Sequence, residues 1–202
     1  MDIFETIHTL RAIRRFKPDP VPDELIWKVL DAAIHAPSGT NQQPWNFVVI
    51  RDPETRKRIG DLYLEVWNSF RSRQQQQPEE DPTTAKIHAS ADHLAHHLGE
   101  APVHILVTFN HQISSATVAG SSIFPAVQNL MLAARALGLG TVLTTTHKGR
   151  EAQVKEILGI PEHVETMALI PLGWPRGRFG PTSRRPAEEV TFWDKWGETS
   201  KR

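Results

Sequence analysis

The stretch Ala36-Pro37-Ser38-Gly39-Thr40-Asn41-Gln42-Gln43-Pro44-Trp45 joins an amphipathic helical segment to an apolar, strand-like one. Pro37 is expected to end the preceding helix, because its ring disfavours helical backbone in the residue before it. Gly39 is expected to supply positive φ and to let the backbone approach a ligand closely. The hydroxyl and amide side chains around it would suit a flat, polar-edged ligand. Most loops of this composition are only connections, so a second feature is needed to indicate function.

That second feature is a pair of basic points at opposite ends of the chain. Arg11 and Arg14 stand three residues apart at the expected end of a helix over residues 2–11, and so can point to one side. Arg184 and Arg185 lie between prolines in an extended setting. Guanidinium groups match phosphate geometry, and each charge-assisted hydrogen bond is worth about 1.5–3 kcal/mol. Arginine pairs alone are more often solvated surface, so the phosphate interpretation depends on their combination with the loop.

Composition describes an ordinary globular chain. Its 202 residues, 39% of them hydrophobic, fit one domain over 1–202. Lys+Arg and Asp+Glu both number 23, and this neutral balance disfavours a nucleic-acid or membrane-surface partner. The chain has no cysteine, which excludes disulfides and thiol chemistry. An acidic, amphipathic start and the lack of a long apolar run predict a cytoplasmic protein.

Hydrophobic periodicity predicts a chain of mixed helices and strands. Helices are expected at residues 2–11, 22–34, 53–70, 87–98, 123–137 and 152–158. Strands are expected at residues 47–50, 103–109, 141–145 and 167–172. The polar residues 73–83 are expected to form an exposed excursion, and the extended tail 175–202 to pack on a partner subunit.

Three further motifs are discounted. His93 and His97 stand at metal-ligand spacing, but without a His-Glu-x-x-His pattern a polar helix face explains them better, and no metal site is predicted. Gly138-Leu139-Gly140 lacks the third glycine and the following helix of a dinucleotide fingerprint. No Gly-x-Ser-x-Gly elbow supports Ser38 as a nucleophile.

The segments Leu10–Phe16 and Ala36–Trp45 together resemble those of the FMN-dependent nitroreductase family. Weaker blocks keep the family's order over nearly the whole chain: Glu100–Val103, Val127–Ala134, Gly138–Thr141, Leu158–Pro161, Ile170–Pro175 and Arg184–Pro186. The resemblance implies an α+β, three-layer nitroreductase-like fold, with a central, mostly antiparallel sheet flanked by helices. It also implies an intertwined homodimer with two FMN sites at the subunit interface.

The resemblance further implies which residues contact the FMN. The basic segment that binds the ribityl phosphate and the pyrimidine edge corresponds to Arg11, Ala12 and Arg14. The loop that reaches the flavin from the other subunit corresponds to Pro37, Ser38, Gly39 and Asn41. The segment that passes the reactive face corresponds to Leu143, Thr144, Thr145 and Thr146. Within it, the backbone N–H groups of Thr144–Thr146 are hypothesised to bond flavin N5 or O4. The late phosphate arginine corresponds to Arg184.

The sequence departs from the family pattern at two positions. Leu10 stands where many members have arginine, and Ala12 stands where many have serine. One phosphate contact is therefore absent or is supplied by Arg15. Asn68 and Arg71 have the spacing of a third-helix pair that some members use, and whether they contact flavin stays open.

The implied function is that of an FMN-dependent oxidoreductase, which uses NADH or NADPH to reduce nitroaromatic, quinone or related flat acceptors by a ping-pong mechanism. The flavin carries the chemistry and no catalytic side chain is predicted, although a cation at Arg14 would stabilise the negative charge of reduced flavin near N1. One alternative is a specialised relative, either a reductive dehalogenase or a flavin-fragmenting dimethylbenzimidazole synthase. Others are a non-catalytic flavin-sequestering protein and an interaction protein without a cofactor.

Overall fold

A computed structural model describes residues 1–74 and 81–199. Within these residues the helices are α1 (Ile3–Thr9), α2 (Asp23–Ile34), α3 (Pro53–Gln74), α4 (Pro82–His97), α5 (Ala119–Ala136) and α6 (Glu151–Leu158). The strands are β1 (Trp45–Ile50), β2 (Val103–Asn110), β3 (Gly140–Thr141) and β4 (Val164–Gly173). None of the described helices is long and apolar enough to cross a bilayer.

The strands form one sheet in the order β1-β2-β4-β3, and each neighbouring pair is antiparallel. In the centre of the sheet, Ile105 of β2 lies opposite Ile170 of β4. Both residues are fully buried. Strands that are covered on both faces are expected to be apolar throughout, and β2 fits this pattern because only its last residue is not buried.

Helices cover both faces of the sheet. On one face, Val29 of α2 and Leu130 of α5 pack with Ile105 and Ile170. On the other face, three helices pack on the same two central strands. Ile59 of α3, Leu94 of α4 and Val154 of α6 pack there with Leu106 of β2 and Leu169 of β4. The chain therefore has the three-layer α+β fold with an antiparallel sheet that the sequence predicts.

Several element boundaries differ from the predicted ones. The first helix ends at Thr9, so residues 10 and 11 lie beyond it. The predicted strand 141–145 is largely wrong: β3 ends at Thr141, and only an isolated bridge between Thr144 and Leu169 continues its pairing with β4. Helices α3 and α4 take up both ends of the predicted 73–83 excursion, and its central residues 75–80 lie outside the described residues.

The first part of the tail packs on its own chain. The Arg135 guanidinium lies 4.0 Å above the ring centre of Phe179. The Thr182 N–H donates to the carbonyl of His8 at 3.2 Å, which ties the tail to the end of α1. Residues 183–199 are exposed in the single chain, and their packing on a partner subunit stays a prediction.

His104 is a fully buried histidine in the central strand β2. Its Nε2–H donates to the Leu98 carbonyl at 2.8 Å, while Nδ1 has no hydrogen-bond partner among the described residues. Burial penalises the charged ring and lowers the pKa of His104 from 6.5 to about 4. The folded protein therefore holds this ring neutral at a pH where the unfolded chain binds a proton.

We expect His104 to make stability depend on pH between about 4 and 6.5. Because the unfolded state binds the extra proton there, the free energy of unfolding should rise with pH by up to about 1.4 kcal/mol per unit. Urea titrations across this window should show a shallower slope for His104→Gln. The exposed His35→Gln control should keep the wild-type slope, and equal slopes in all three proteins would contradict the assignment.

Candidate functional site

The arginine segment Leu10–Lys17 is extended and lies along the edge of the sheet. Ile13 N–H donates to the Thr141 carbonyl at 2.9 Å, and Lys17 N–H donates to the Trp174 carbonyl at 2.8 Å. The tail adds a third bond, from Arg176 N–H to the Arg15 carbonyl at 3.0 Å. The predicted helix end at Arg11 and Arg14 is thus wrong. Their side chains are directed by this backbone pairing and not by helical spacing.

Two glycines allow the arginine segment to dock this closely. A Cβ on Gly140 would lie 2.6 Å from Ile13 Cγ2 and 2.8 Å from Ile13 Cβ. A Cβ on Gly173 would lie 2.6 Å from Pro102 Cγ and 3.2 Å from Phe16 Cδ1. The separations of 2.6 and 2.8 Å are shorter than normal carbon–carbon contacts, and the one of 3.2 Å is tight. A side chain at Gly140 would therefore push the arginine segment away from β3.

A cavity of about 500 Å³ opens between α1, α5, the arginine segment and the tail. We refer to it as the α1–α5 cavity, and its lining residues are Ile7, His8, Leu10, Arg11, Ala12, Arg14, Gln128, Met131, Thr141, Val142, Leu143, Thr182 and Arg184. The structure thus brings together both predicted basic points, although 170 positions separate them in the chain. Arg15, the predicted substitute for a missing phosphate contact, does not line this cavity.

The cavity is cationic. Among the described residues, Arg11, Arg14 and Arg184 form no ion pair with a carboxylate, and Arg184 donates only to the Ser183 carbonyl, at 2.7 Å. Partial burial lowers the pKa of Arg14, and the nearby Tyr63 hydroxyl opposes this shift, yet a guanidinium stays charged at neutral pH. Three unpaired guanidinium groups around one cavity are suited to an anionic ligand.

The cavity also contains an unused polar group. Thr141 is buried, and its Oγ1 has no hydrogen-bond partner within the described residues. A buried hydroxyl left without a partner costs about 1–3 kcal/mol. Rotation of this side chain toward a bound ligand with hydrogen-bonding edges would remove this cost, so Thr141 is a candidate ligand contact that the sequence reasoning missed.

The segment after β3 is held by bonds within its own chain. Thr144 is buried, its backbone N–H and carbonyl pair with Leu169, and its Oγ1 lies 2.8 Å from the Tyr63 hydroxyl. Thr146 N–H donates to Thr144 Oγ1 at 3.4 Å. Of the three threonines Thr144, Thr145 and Thr146, Thr145 alone keeps a backbone N–H for which the described residues offer no acceptor. Among the three threonines, only the Thr145 backbone N–H therefore remains available for the hypothesised flavin contact. Of the predicted site residues in this segment, only Leu143 lines the cavity.

A buried network anchors the end of this segment. Thr166 donates its hydroxyl to Glu151 Oε1 at 2.9 Å, so its oxygen accepts from His147 Nε2–H at 3.1 Å. Lys148 binds Glu165 at 2.7 Å and Glu151 at 2.9 Å. Burial, with a contribution from Lys148, lowers the pKa of His147 to about 4, so the ring is neutral at pH 7. The network holds residues 144–147 against β4.

The loop begins after α2 ends at Ile34, as predicted, but Trp45 already belongs to β1, and the loop does not have the predicted conformation. Positive φ falls on Thr40 (48°), Asn41 (56°) and Gln43 (51°), whereas Gly39 does not adopt it. The expectation for Gly39 is therefore wrong. The loop is supported by Ser38 Oγ, which accepts from Gln43 N–H at 3.0 Å. Non-glycine residues at positive φ are uncommon and often mark functional sites, so the strain is a reason to look for a ligand here.

This loop lies away from the cavity of its own chain. Gly39 N–H donates to Ser122 Oγ near the start of α5 at 3.3 Å, whereas the first residue of that helix to line the cavity is Gln128, about 9 Å further along at 1.5 Å per residue. The cavity is not lined by the predicted loop residues Pro37, Ser38, Gly39 and Asn41. Asn68 and Arg71 do not line the cavity either. A single chain therefore assembles only the arginine half of the predicted site.

The histidines on α4 pair locally. The His93 and His97 rings stack with centroids 4.3 Å apart, and His97 Nδ1 lies 2.8 Å from Glu100 Oε1. Within the part of the chain that is described, no group of three or more His, Cys, Asp or Glu side chains is arranged to hold a metal ion.

The fold and the cavity define a class: a three-layer α+β protein with an arginine-lined cavity between its first helix, its fifth helix and its tail. A family model described as "Nitroreductase family" matches residues 7–174, and the chain belongs to the nitroreductase family. It is 35% identical to a "Putative NADH dehydrogenase/NAD(P)H nitroreductase" of Methanothermobacter thermautotrophicus, covering 97% of this chain and 88% of that protein.

Two other similarities bear on function. The chain is 30% identical to iodotyrosine deiodinase 1 of Rattus norvegicus, over 91% of this chain and 66% of that protein. Among solved structures, a "putative nitroreductase in complex with fmn" from Desulfovibrio desulfuricans matches with a TM-score of 0.71 and 28% identity. This match covers 97% of this chain and 98% of that one.

Proposed function

We propose that this chain is a single-domain, FMN-dependent oxidoreductase that uses NADH or NADPH to reduce nitroaromatic, quinone or related flat acceptors. The observation that carries the proposal is the α1–α5 cavity, where Arg11, Arg14 and Arg184 converge without a carboxylate partner among the described residues. The FMN complex of the Desulfovibrio desulfuricans relative and the name of the Methanothermobacter relative support it.

The residues present fit FMN. A phosphate monoester carries close to two negative charges, which Arg11 and Arg184 would neutralise through charge-assisted hydrogen bonds. The volume of about 500 Å³ and the unpartnered Thr141 Oγ1 suit a planar ring with polar edges. When bound, FMN supplies the exchange of a hydride or electrons with the two substrates.

The chain's own groups would tune and shield that ring. Arg14 is partly shielded from water, so its charge acts strongly on any negative charge that develops at the pyrimidine edge. Val142 and Leu143 would place an apolar wall against a bound ring. Because one cavity serves both substrates, we expect them to bind in turn, which gives ping-pong kinetics.

A homodimer would complete the site. Pro37, Ser38, Gly39 and Asn41 would then come from the second copy, which accounts for a strained loop that does not line the cavity of its own chain. Large apolar side chains are exposed on α1, α2 and α5, namely Ile3, Phe4, Trp27 and Phe124. Exposed apolar surface of this kind is typical of a protein interface. Sedimentation of the FMN-loaded protein as a single chain would contradict the dimer.

The proposal predicts a yellow protein whose colour responds to a nicotinamide. Purified holoprotein should absorb near the flavin visible bands, and anaerobic mixing with NADPH or NADH should bleach them quickly. Adding a nitroaromatic or a quinone should then restore the colour. Bound flavin that neither nicotinamide reduces would indicate a flavin-sequestering protein, and a colourless chain that FMN cannot reconstitute would overturn the proposal.

Reductive dehalogenation is the second candidate. Its support is the similarity to iodotyrosine deiodinase 1, which extends over 91% of this chain. Both activities would use the same cavity, so turnover of a nitroaromatic and of a haloaromatic under identical conditions separates them. The flavin-fragmenting alternative is distinguished by loss of the flavin itself during the reaction.

A further inference from the structure

A second cavity adjoins the first. It measures about 500 Å³ and lies between α4 and the tail, and we refer to it as the α4–tail groove. Its lining residues are Arg11, Ala12, Arg14, Thr83, Lys86, Ile87, Ser90, Pro181, Thr182, Ser183 and Arg184. Five of these also line the α1–α5 cavity, so the two spaces share a wall and a ligand in one can reach the other.

One face of α4 forms the outer wall of this groove. Thr83, Lys86, Ile87 and Ser90 are spaced at i, i+3, i+4 and i+7, which places them on the same side of the helix. The face combines a cation, two hydroxyls and one apolar side chain, Ile87, that is half exposed. Such a face offers apolar contact to a ring and polar contacts to a charged substituent.

The charges of the groove are unbalanced. Among the described residues, its lining contains four cations and no acidic residue. Lys86 forms no hydrogen bond or ion pair among the described residues, so its ammonium group is available. In the proposed site, Arg11 and Arg184 neutralise the FMN phosphate and Arg14 faces the pyrimidine edge. Lys86 is then the cation that the cofactor does not require.

We propose that the α4–tail groove binds the carboxylate of a small aromatic acceptor, with Lys86 as the residue that selects for the negative charge. The inference rests on the proposed function and names its substrate class. The carboxylate contacts Lys86 and Ser90, the ring packs on Ile87, and the reducible substituent points into the α1–α5 cavity. For a nitro substituent, NADPH and one proton supply two electrons and two protons, and the products are the nitroso compound, water and NADP⁺.

Equilibrium binding to the holoprotein tests the groove without turnover. Benzoate and benzamide have nearly the same shape and differ in charge, and their titration is followed through the visible flavin spectrum or by calorimetry. Wild type should bind benzoate more tightly than benzamide. Lys86→Gln should weaken benzoate binding about fivefold, the size expected for one exposed charge pair, and should leave benzamide unchanged. Lys86→Glu should weaken benzoate binding further.

Steady-state kinetics provide the second measurement. The ratio of KM for 4-nitrobenzoate to KM for 4-nitrobenzamide should rise about fivefold in Lys86→Gln, with kcat nearly constant. The matched control is Lys28→Gln, which removes an exposed lysine from α2 on the opposite face of the sheet. It should leave both the benzoate affinity and the KM ratio at wild-type values.

Several results would overturn the inference. An unchanged benzoate affinity and KM ratio in both Lys86 variants would remove Lys86 as a selectivity residue. A rise confined to the KM of NADPH, with NADH unaffected, would assign Lys86 to the dinucleotide phosphate. A loss of FMN from Lys86→Gln would place it in the cofactor site. If wild type reduces neither nitro compound, the nitroaromatic part of the proposed function fails, while the benzoate titration still decides whether the groove binds carboxylates.

Discussion

Arg184→Gln is expected to weaken FMN binding by about 10- to 100-fold. The glutamine loses a charge-assisted contact to the phosphate, and such contacts are worth about 1.5–3 kcal/mol, with each 1.4 kcal/mol equal to a factor of ten. Riboflavin lacks the phosphate, so its affinity should hardly change. The ratio of the two dissociation constants, measured by flavin fluorescence quenching on apoprotein, isolates the phosphate contact from any general damage to the cavity.

The neighbouring arginine is the control for this experiment. Arg185 has the same chemistry and a similar exposed position, but it does not line the α1–α5 cavity. Arg185→Gln should therefore keep wild-type affinity for both flavins. Equal losses of FMN affinity in the two variants would show that the tail acts through its overall charge, and an unaffected Arg184→Gln would remove this residue from the cofactor site.

The second large effect is expected from Gly140→Ala. The new Cβ would overlap Ile13, whose backbone is bonded to Thr141, so the arginine segment must shift away from β3. Overpacking of this kind typically costs about 1–3 kcal/mol of stability. The shift also displaces Arg11 and Arg14, so FMN affinity should fall at least about tenfold, with each 1.4 kcal/mol equal to a factor of ten. Urea unfolding of the apoprotein and FMN titration measure the two effects separately.

Gly177→Ala is the matched control, because a Cβ at Gly177 meets no atom within 4 Å and its backbone has ordinary φ. It should change stability by no more than about 0.5 kcal/mol, as is usual for surface substitutions. FMN affinity should also stay at the wild-type value. If Gly140→Ala binds FMN as tightly as wild type, then the docking of the arginine segment does not position the cofactor contacts.

The sequence predicts the helices and strands that form the layers of this fold better than it predicts the segments that connect them. Long periodic helices and the apolar strands β2 and β4 follow directly from residue pattern, because burial imposes that pattern over many positions. The strand expected at 141–145 fails for a local reason. β-branched residues favour extended backbone, but Val142 and Leu143 leave the ladder and line the cavity, which residue type alone does not reveal.

In the candidate site, too, the sequence predicts some of the residues but not the backbone that positions them. Arg11 and Arg14 share a cavity, as predicted, but through an extended segment that depends on Gly140, and no local pattern connects positions 13 and 140. Gly39 was the obvious residue for positive φ, yet Thr40 and Asn41 adopt it under the constraint of long-range bonds such as Gly39 to Ser122. The polar face of α4 is visible as a periodic pattern, but only the folded chain shows that the tail faces it.

The pairing of the arginine segment with the tail determines when the cavity can form during synthesis of the chain. A cavity that needs positions 11 and 184 cannot exist on a growing polypeptide until residue 184 has been synthesised. Closing a loop of this length costs about 4–5 kcal/mol of chain entropy, which the sheet and its helices must offset first. Cofactor loading is therefore a late event, and ribosome-bound chains that stop short of the tail should remain without flavin.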